Sequence, residues 1–282
     1  MKKPEAAMAV QPDPCPELVV ETGPEGRGVG SWVPQDKHRL VTHYLNATRH
    51  AWKNWPKRVL IDPFCGPGRI RVAGESFTRD GGAVAAWRVM EANGVALTHV
   101  LLGDKDGTRS HACKARLDAL GAQNVEAFTG SADQAIIEMV KHVPRGALCF
   151  AYVDPYSLEH LSFSIIEALA PLKVDIAAHF SIMDLRRNAD QELARGRFDR
   201  AIPGMRDDSR IKGANLVTLA DECFAKWVDL VQGLGFQHSK AMPLVTNNSG
   251  HGLYRLVFFA RHDLPLRIWG DVAKDKNLEL FG

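Results

Sequence analysis

Long apolar runs are missing from this sequence: the longest, Ala147 to Val153, falls far short of the ~20 residues that a membrane-spanning helix needs. The start, Met1-Lys2-Lys3-Pro4-Glu5, carries positive charge with no apolar stretch behind it, so neither export nor membrane insertion is expected. Cysteine is sparse. The five present, Cys15, Cys65, Cys113, Cys149 and Cys223, are odd in number and contain no Cys-x-x-Cys spacing. That argues against a disulfide framework, predicts no metal site and points to a reduced, cytoplasmic protein. An excess of one charge sign is also lacking: 35 Lys+Arg against 33 Asp+Glu leave +2 over 282 residues, which excludes a strongly basic, histone-like binder. What is present is an ordinary globular composition, 45% hydrophobic and 24% charged, in a chain long enough to bury a sizeable core.

Breakers crowd the first thirty residues, where Pro4, Pro12, Pro14, Pro16 and Pro24 are joined by Gly23, Gly26, Gly28 and Gly30. No helix or strand of normal length fits there, so residues 1–30 read as a flexible tail or surface-hugging arm and 31–282 as a single domain. From Gln35 to Lys53, Leu40, Val41, Tyr44, Leu45, Thr48, Ala51 and Trp52 recur near the helical period until Pro56 ends the segment. Short apolar runs follow at 59–61, 100–102, 125–128, 147–153 and 174–182, separated by helical stretches at about 81–93, 107–120, 131–142 and 162–171. This alternation predicts an α/β fold with a mostly parallel sheet covered on both faces. Beyond it, Leu216, Ala220, Cys223, Trp227, Leu230 and Leu234 line one face of a long helix. Phe236 to Val245 and Tyr254 to Arg261 flank Asn247-Asn248-Ser249-Gly250 as a closing antiparallel hairpin.

The chemistry sits where predicted strands end. The first runs into Asp62-Pro63-Phe64-Cys65-Gly66-Pro67-Gly68-Arg69, whose two glycines permit a sharp turn and a close approach to a ligand. The dinucleotide fingerprint needs a third glycine where Arg71 stands, and no Gly-Lys-Ser or Gly-Lys-Thr follows. The nicotinamide or flavin fingerprint is therefore not met, and the P-loop pattern fails. Asp104 ends the second strand beside Gly103 and Lys105, placed to accept from ribose hydroxyls, with Asp106 capping the next helix. Residues 69–80 look like an extra loop. The third strand leads into Gly130-Ser131-Ala132-Asp133, where a backbone N–H and a side chain suit an adenine edge; the fourth ends in Asp154-Pro155-Tyr156.

These tips together resemble the class I S-adenosylmethionine (SAM) dependent methyltransferases, a Rossmann-like fold with a seven-stranded, mostly parallel sheet and an antiparallel C-terminal hairpin. More closely, the chain is similar to the three-Cys-motif partner (TcmP) family. Carrying that likeness are Trp32 with Lys37, the 62–69 block, Asp154-Pro155-Tyr156, Arg187-Asn188, and the strand 256–262 followed by Ile268-Trp269. The resemblance implies that SAM binds on Asp62, Phe64, Cys65, Gly66, Pro67, Gly68, Asp104, Lys105, Ser131, Ala132, Asp133 and Asp154. It also implies a radical-SAM-type partner protein. Two departures stand out: the superfamily's acid is a serine at Ser131, and amino-methyltransferases carry two prolines where only Pro155 separates Asp154 from Tyr156.

Methyl transfer needs alignment and the removal of one proton, so few catalytic residues are expected. Asp154 is the candidate to orient the nucleophile, Tyr156 the platform for a ring, and Lys37 a contact to a carboxylate. Cys65, inside the predicted cofactor loop, reads as a packing residue and not a nucleophile; His160 and His179 read as solvated or core residues. Between 186 and 212, eight basic residues face five acidic ones. That stretch is either a solvated surface or a phosphate-contacting flap for a nucleic-acid or nucleotide substrate. Two functions stay open: a methyltransferase acting on a nucleobase or nucleotide-like amine, and a SAM-binding, non-catalytic partner subunit.

Overall fold

The structure, a computed structural model, describes residues 10–187, 195–215, 217–246, 250 and 252–279. The strands are β1 (Arg58–Asp62), β2 (Arg69–Arg71), β3 (Thr78–Asp80), β4 (His99–Asp104), β5 (Val125–Thr129), β6 (Leu148–Val153), β7 (Val174–Ser181), β8 (Gln237–His238), β9 (Leu244–Thr246) and β10 (Gly252–Ala260). The main sheet runs β5-β4-β1-β6-β7-β10, with β8 and β9 both paired to β10. All pairs from β5 to β7 are parallel, and β10 is antiparallel to β7. Eight strands thus fill seven positions in the Rossmann-like methyltransferase arrangement. The order reverses between β1 and β6, which opens a crevice at the strands' carboxyl ends.

Apolar side chains on both faces explain why the sheet is central. One face packs under α4 (Ala132–Met139), α5 (Phe163–Leu169) and the helix Leu219–Gly233, whose Trp227 meets Phe259 at 5.4 Å between ring centroids. The opposite face packs under α1 (Arg39–Trp52), α2 (Gly82–Ala92), α3 (Gly107–Ala119) and the helix Asp263–Glu279, whose Trp269 stacks on Phe258 at 4.7 Å. The aromatic pairs anchor both layers to β10, the antiparallel strand beyond β7.

Three local expectations are corrected. Residues 69–80 form not a loop but the hairpin β2–β3, in which Arg69 Nη1 meets Asp80 Oδ1 at 2.5 Å and Arg69 Nε donates to Thr78 Oγ1. Three-residue polar strands leave no alternation to detect. The helix expected from Gln35 begins as a wide π turn over Val33–His38, which buries Lys37 and His38 before α1 takes over. The hairpin's first strand is broken into β8 and β9, because Ser239 to Pro243 depart from the ladder; Ser239 N and Pro243 O still bond β10. Leu216 and the turn residues Asn247, Asn248 and Ser249 lie outside the described residues.

Within the expected tail, residues 10–30 are anchored chain. Glu21 N donates to Arg69 O at 2.8 Å and Arg71 N to Glu21 O at 2.8 Å, while Val29 bridges Val72 in the same parallel sense. The breakers do exclude long regular elements, yet they leave this arm able to follow β2. Arg116 of α3, fully buried, holds it from below. Its guanidinium pairs with Asp13 at 2.9 Å and donates to the carbonyls of Cys15, Leu18, Val19 and Pro67. A charge this deep is tolerated because nearly all its donors are used.

Candidate functional site

Asp62, Asp104 and Asp154 lie at or just beyond the ends of β1, β4 and β6, three adjacent strands. From Asp62 the chain turns through Phe64, Cys65, Gly66, Pro67 and Gly68, with Phe64 N donating to Asp62 Oδ1 at 3.0 Å and Cys65 N to Gly103 O at 2.9 Å. Gly68 sits at φ +76°, and a Cβ there would stand 2.9 Å from Cys113 Sγ. Its glycine is needed by packing of α3 against the loop as well as by backbone geometry. Asp62 is buried; burial pushes its carboxyl well above the usual range, opposed by the Phe64 amide. Burial and the neighbouring Cys113 likewise push the Cys65 thiol up, away from nucleophile chemistry.

Asp104 accepts from Asp106 N at 2.9 Å and from Arg109 Nε at 3.3 Å, and Arg109 also pairs with Glu21 of the arm. Arg109 therefore crosses from α3 to the arm beside the loop, 3.4 Å from where a Gly66 Cβ would be. Asp106 caps α3 through Thr108 N. Lys105 is exposed. Ser131 is the N-cap residue of α4 and bonds Gln134, Ala132 is half-buried, and Asp133 pairs with Arg200.

The densest polar cluster surrounds Asp154. Oδ1 receives Lys37 Nζ at 2.6 Å and His179 Nδ1 at 2.7 Å, and Oδ2 receives the Tyr152 hydroxyl at 3.0 Å. Alternation explains the grouping: on β7, His179 shares the face of Ala177, the side covered by α1, and the π turn delivers Lys37 to that side. Tyr254 of β10 closes the cluster, with its ring 3.9 Å from that of His179 and 4.9 Å from Lys37 Nζ. Burial would raise the Asp154 carboxyl, but the Lys37 ammonium and the His179 hydrogen bond hold it far below the ordinary range. Burial, with Lys37, depresses His179, against the pull of Asp154. Next door, burial lowers His38 to about 4.

The sequence brings Lys37 and Asp154 forward as separate candidates, and the structure joins them. His179, read from sequence as a structural residue, is a direct partner of Asp154; a histidine inside the otherwise apolar run 174–182, next to the strand tip, is the signal that marks it. Tyr152, Arg109 and Arg116 were missed. Arg116 could have been found as a charge on the apolar stripe Ala112, Cys113 and Leu117 of α3. Tyr156 is 81% exposed, free to meet a ring, and His160 is exposed and bonded to Ser157.

No family model and no curated protein matches the chain. Solved structures do. Protein LPL1258 of Legionella pneumophila, DUF519 family, aligns over 82% of this chain and 88% of its own at 8% identity, TM-score 0.47. An rRNA methylase from Streptococcus thermophilus aligns over 81% and 95% at 13% identity, TM-score 0.39. The bifunctional kinase-methyltransferase WbdD aligns over 80% of this chain and 39% of its own at 12% identity, TM-score 0.43. The fold itself is fixed by strand order and register.

In the basic stretch, Arg197 meets Glu159, Arg200 meets Asp133, Arg206 meets Asp199, Arg210 meets Asp208 and Asp229, and Lys212 meets Asp207. Asn188 lies outside the described residues.

Proposed function

We propose that this chain is a SAM-dependent methyltransferase of the TcmP type. The observation that carries the reading is the row of carboxylates, Asp104, Asp62 and Asp154, on adjacent strand tips around the Gly66–Gly68 turn, at the point where the sheet order reverses. The donor set fits SAM. Asp104 suits a ribose diol once Arg109 releases it, the carboxylates suit a cationic centre, and the Ser131–Asp133 segment at the start of α4 suits an adenine edge. Bound there, SAM would supply an electrophilic methyl group. Tyr156 offers a stacking surface for a nucleobase or nucleotide-like acceptor, and Lys37 keeps Asp154 ionised.

One observation favours a second reading, a SAM-binding partner subunit for a radical-SAM-type protein: Asp154 has most of its acceptor capacity filled by protein donors. Calorimetry with SAM tests the common premise. Binding by the wild type and at least about tenfold weaker binding by Asp104→Ala are expected; a wild type that binds no SAM overturns both readings. Methyl-labelled SAM in cell extracts then separates them, since a partner subunit binds SAM without labelling any pool.

A further inference from the structure

An ionised carboxylate only accepts hydrogen bonds, so the 2.7 Å contact between His179 Nδ1 and Asp154 Oδ1 places the ring proton on Nδ1. The neutral ring then has its lone pair on Nε2, which enters none of the bonds described. Lys37 donates to the same Oδ1 and lies 3.5 Å from Nδ1, so a second ring proton would put two cations side by side. Asp154 is poorly placed to take a proton itself, because three donors already occupy it. The arrangement is that of a base whose tautomer is set by a buried acid.

We propose that His179, and not Asp154, receives the acceptor's proton, with Asp154 as the positioning residue that fixes the ring and Lys37 as the charge that fixes Asp154. The inference rests on the methyltransferase reading and deepens it: the acceptor is a group that sheds a proton from its reacting atom, an N–H or an O–H. As the acceptor's lone pair bonds to the methyl carbon, the electron pair of the broken carbon–sulfur bond stays on sulfur as a neutral thioether. The acceptor's proton passes to Nε2, leaving an imidazolium against the Asp154 carboxylate, and from there to water. Atoms and charge balance without a further reactant. The titratable groups facing the ring are Lys37 from the π turn, Asp154 just beyond β6, Tyr254 from β10 and Asp184 from the short helix Ile182–Arg187 that follows β7.

Two measurements test this. Protein labelled at its histidine nitrogens is examined by NMR at neutral pH, where a protonated Nδ1 and a bare Nε2 are expected for His179, with the tautomer lost in Asp154→Asn. An Nε2–H tautomer or a doubly protonated ring overturns the proposal whatever the activity. Labelled methyl transfer to total RNA and to a deproteinised extract is then compared for wild type, His179→Gln and His179→Gly, with SAM calorimetry confirming that each variant is folded. A loss of about 100-fold with SAM affinity retained, partly restored to His179→Gly by added imidazole, is expected. Unchanged labelling by His179→Gln overturns this inference alone. A wild type that transfers label to neither pool overturns the methyl-transfer reading and the role of His179 with it.

Discussion

Asp175 and His38 are both buried, and each stores a pH dependence of opposite sign. Asp175, bonded to the Tyr44 hydroxyl at 2.6 Å, has its carboxyl raised to about 6 by burial against that hydrogen bond. A raised acid stabilises the fold fully below its unfolded value of 3.8, and this contribution disappears as pH climbs through about 6. His38, lowered to about 4, does the reverse: its contribution is complete above 6.5 and is lost as pH falls toward 4. Each is worth at most ~3 kcal/mol, so the two slopes largely cancel across that window. Thermal melts at a series of pH values should therefore diverge. Relative to wild type, Asp175→Asn gains stability as pH rises from 4 to 6, and His38→Gln loses it from 4 to 6.5. Parallel curves for wild type and both variants would contradict this account. Asp154 acts in a lower window, since its depressed carboxyl withdraws stability only as pH drops below 3.8.

At the scale of elements, legibility followed burial. The cores of β1, β4, β5, β6 and β7 are apolar runs such as Val59-Leu60-Ile61 and could be read directly, as could α2 to α5 between them. The hairpin β2–β3 could not, because Arg69-Ile70-Arg71 and Thr78-Arg79-Asp80 are held by side-chain bonds and by the arm. The same reason hid half of the candidate site. Loop glycines and strand-tip acids have local signatures, whereas the contacts of His179 with Asp154 and Arg116 with Asp13 span 25 and 103 residues. Arg116 is where the arm's stability concentrates. Arg116→Met, by stranding the Asp13 carboxylate, should cost about 3–5 kcal/mol in denaturant melts. Adding Asp13→Asn should recover part of that loss, a coupling that a double-mutant cycle reads; strictly additive losses would show the pair to be independent.

Over the whole molecule, the near-zero net charge is an average of compensated regions and not of inert ones. In the stretch 186–212 that looked basic in sequence, Arg197, Arg200, Arg206 and Arg210 are answered by acids from neighbouring turns and helices. Non-specific RNA binding should accordingly weaken by less than about tenfold between 50 and 200 mM salt, against the ~1,000-fold or more expected for six or more phosphate contacts. A gel-shift titration with a mixed-sequence RNA checks this. The arm also imposes an order of events in time. Its bridges join residues 21 and 29 to 70 and 72, and its anchor lies on α3, so it has nowhere to dock until the hairpin and that helix exist. The arm is therefore expected to dock late in folding, after the transition state. In stopped-flow experiments Asp13→Ala should leave the refolding rate nearly unchanged and speed unfolding, which would make residues 10–30 a brake on the protein's lifetime more than a guide to its shape.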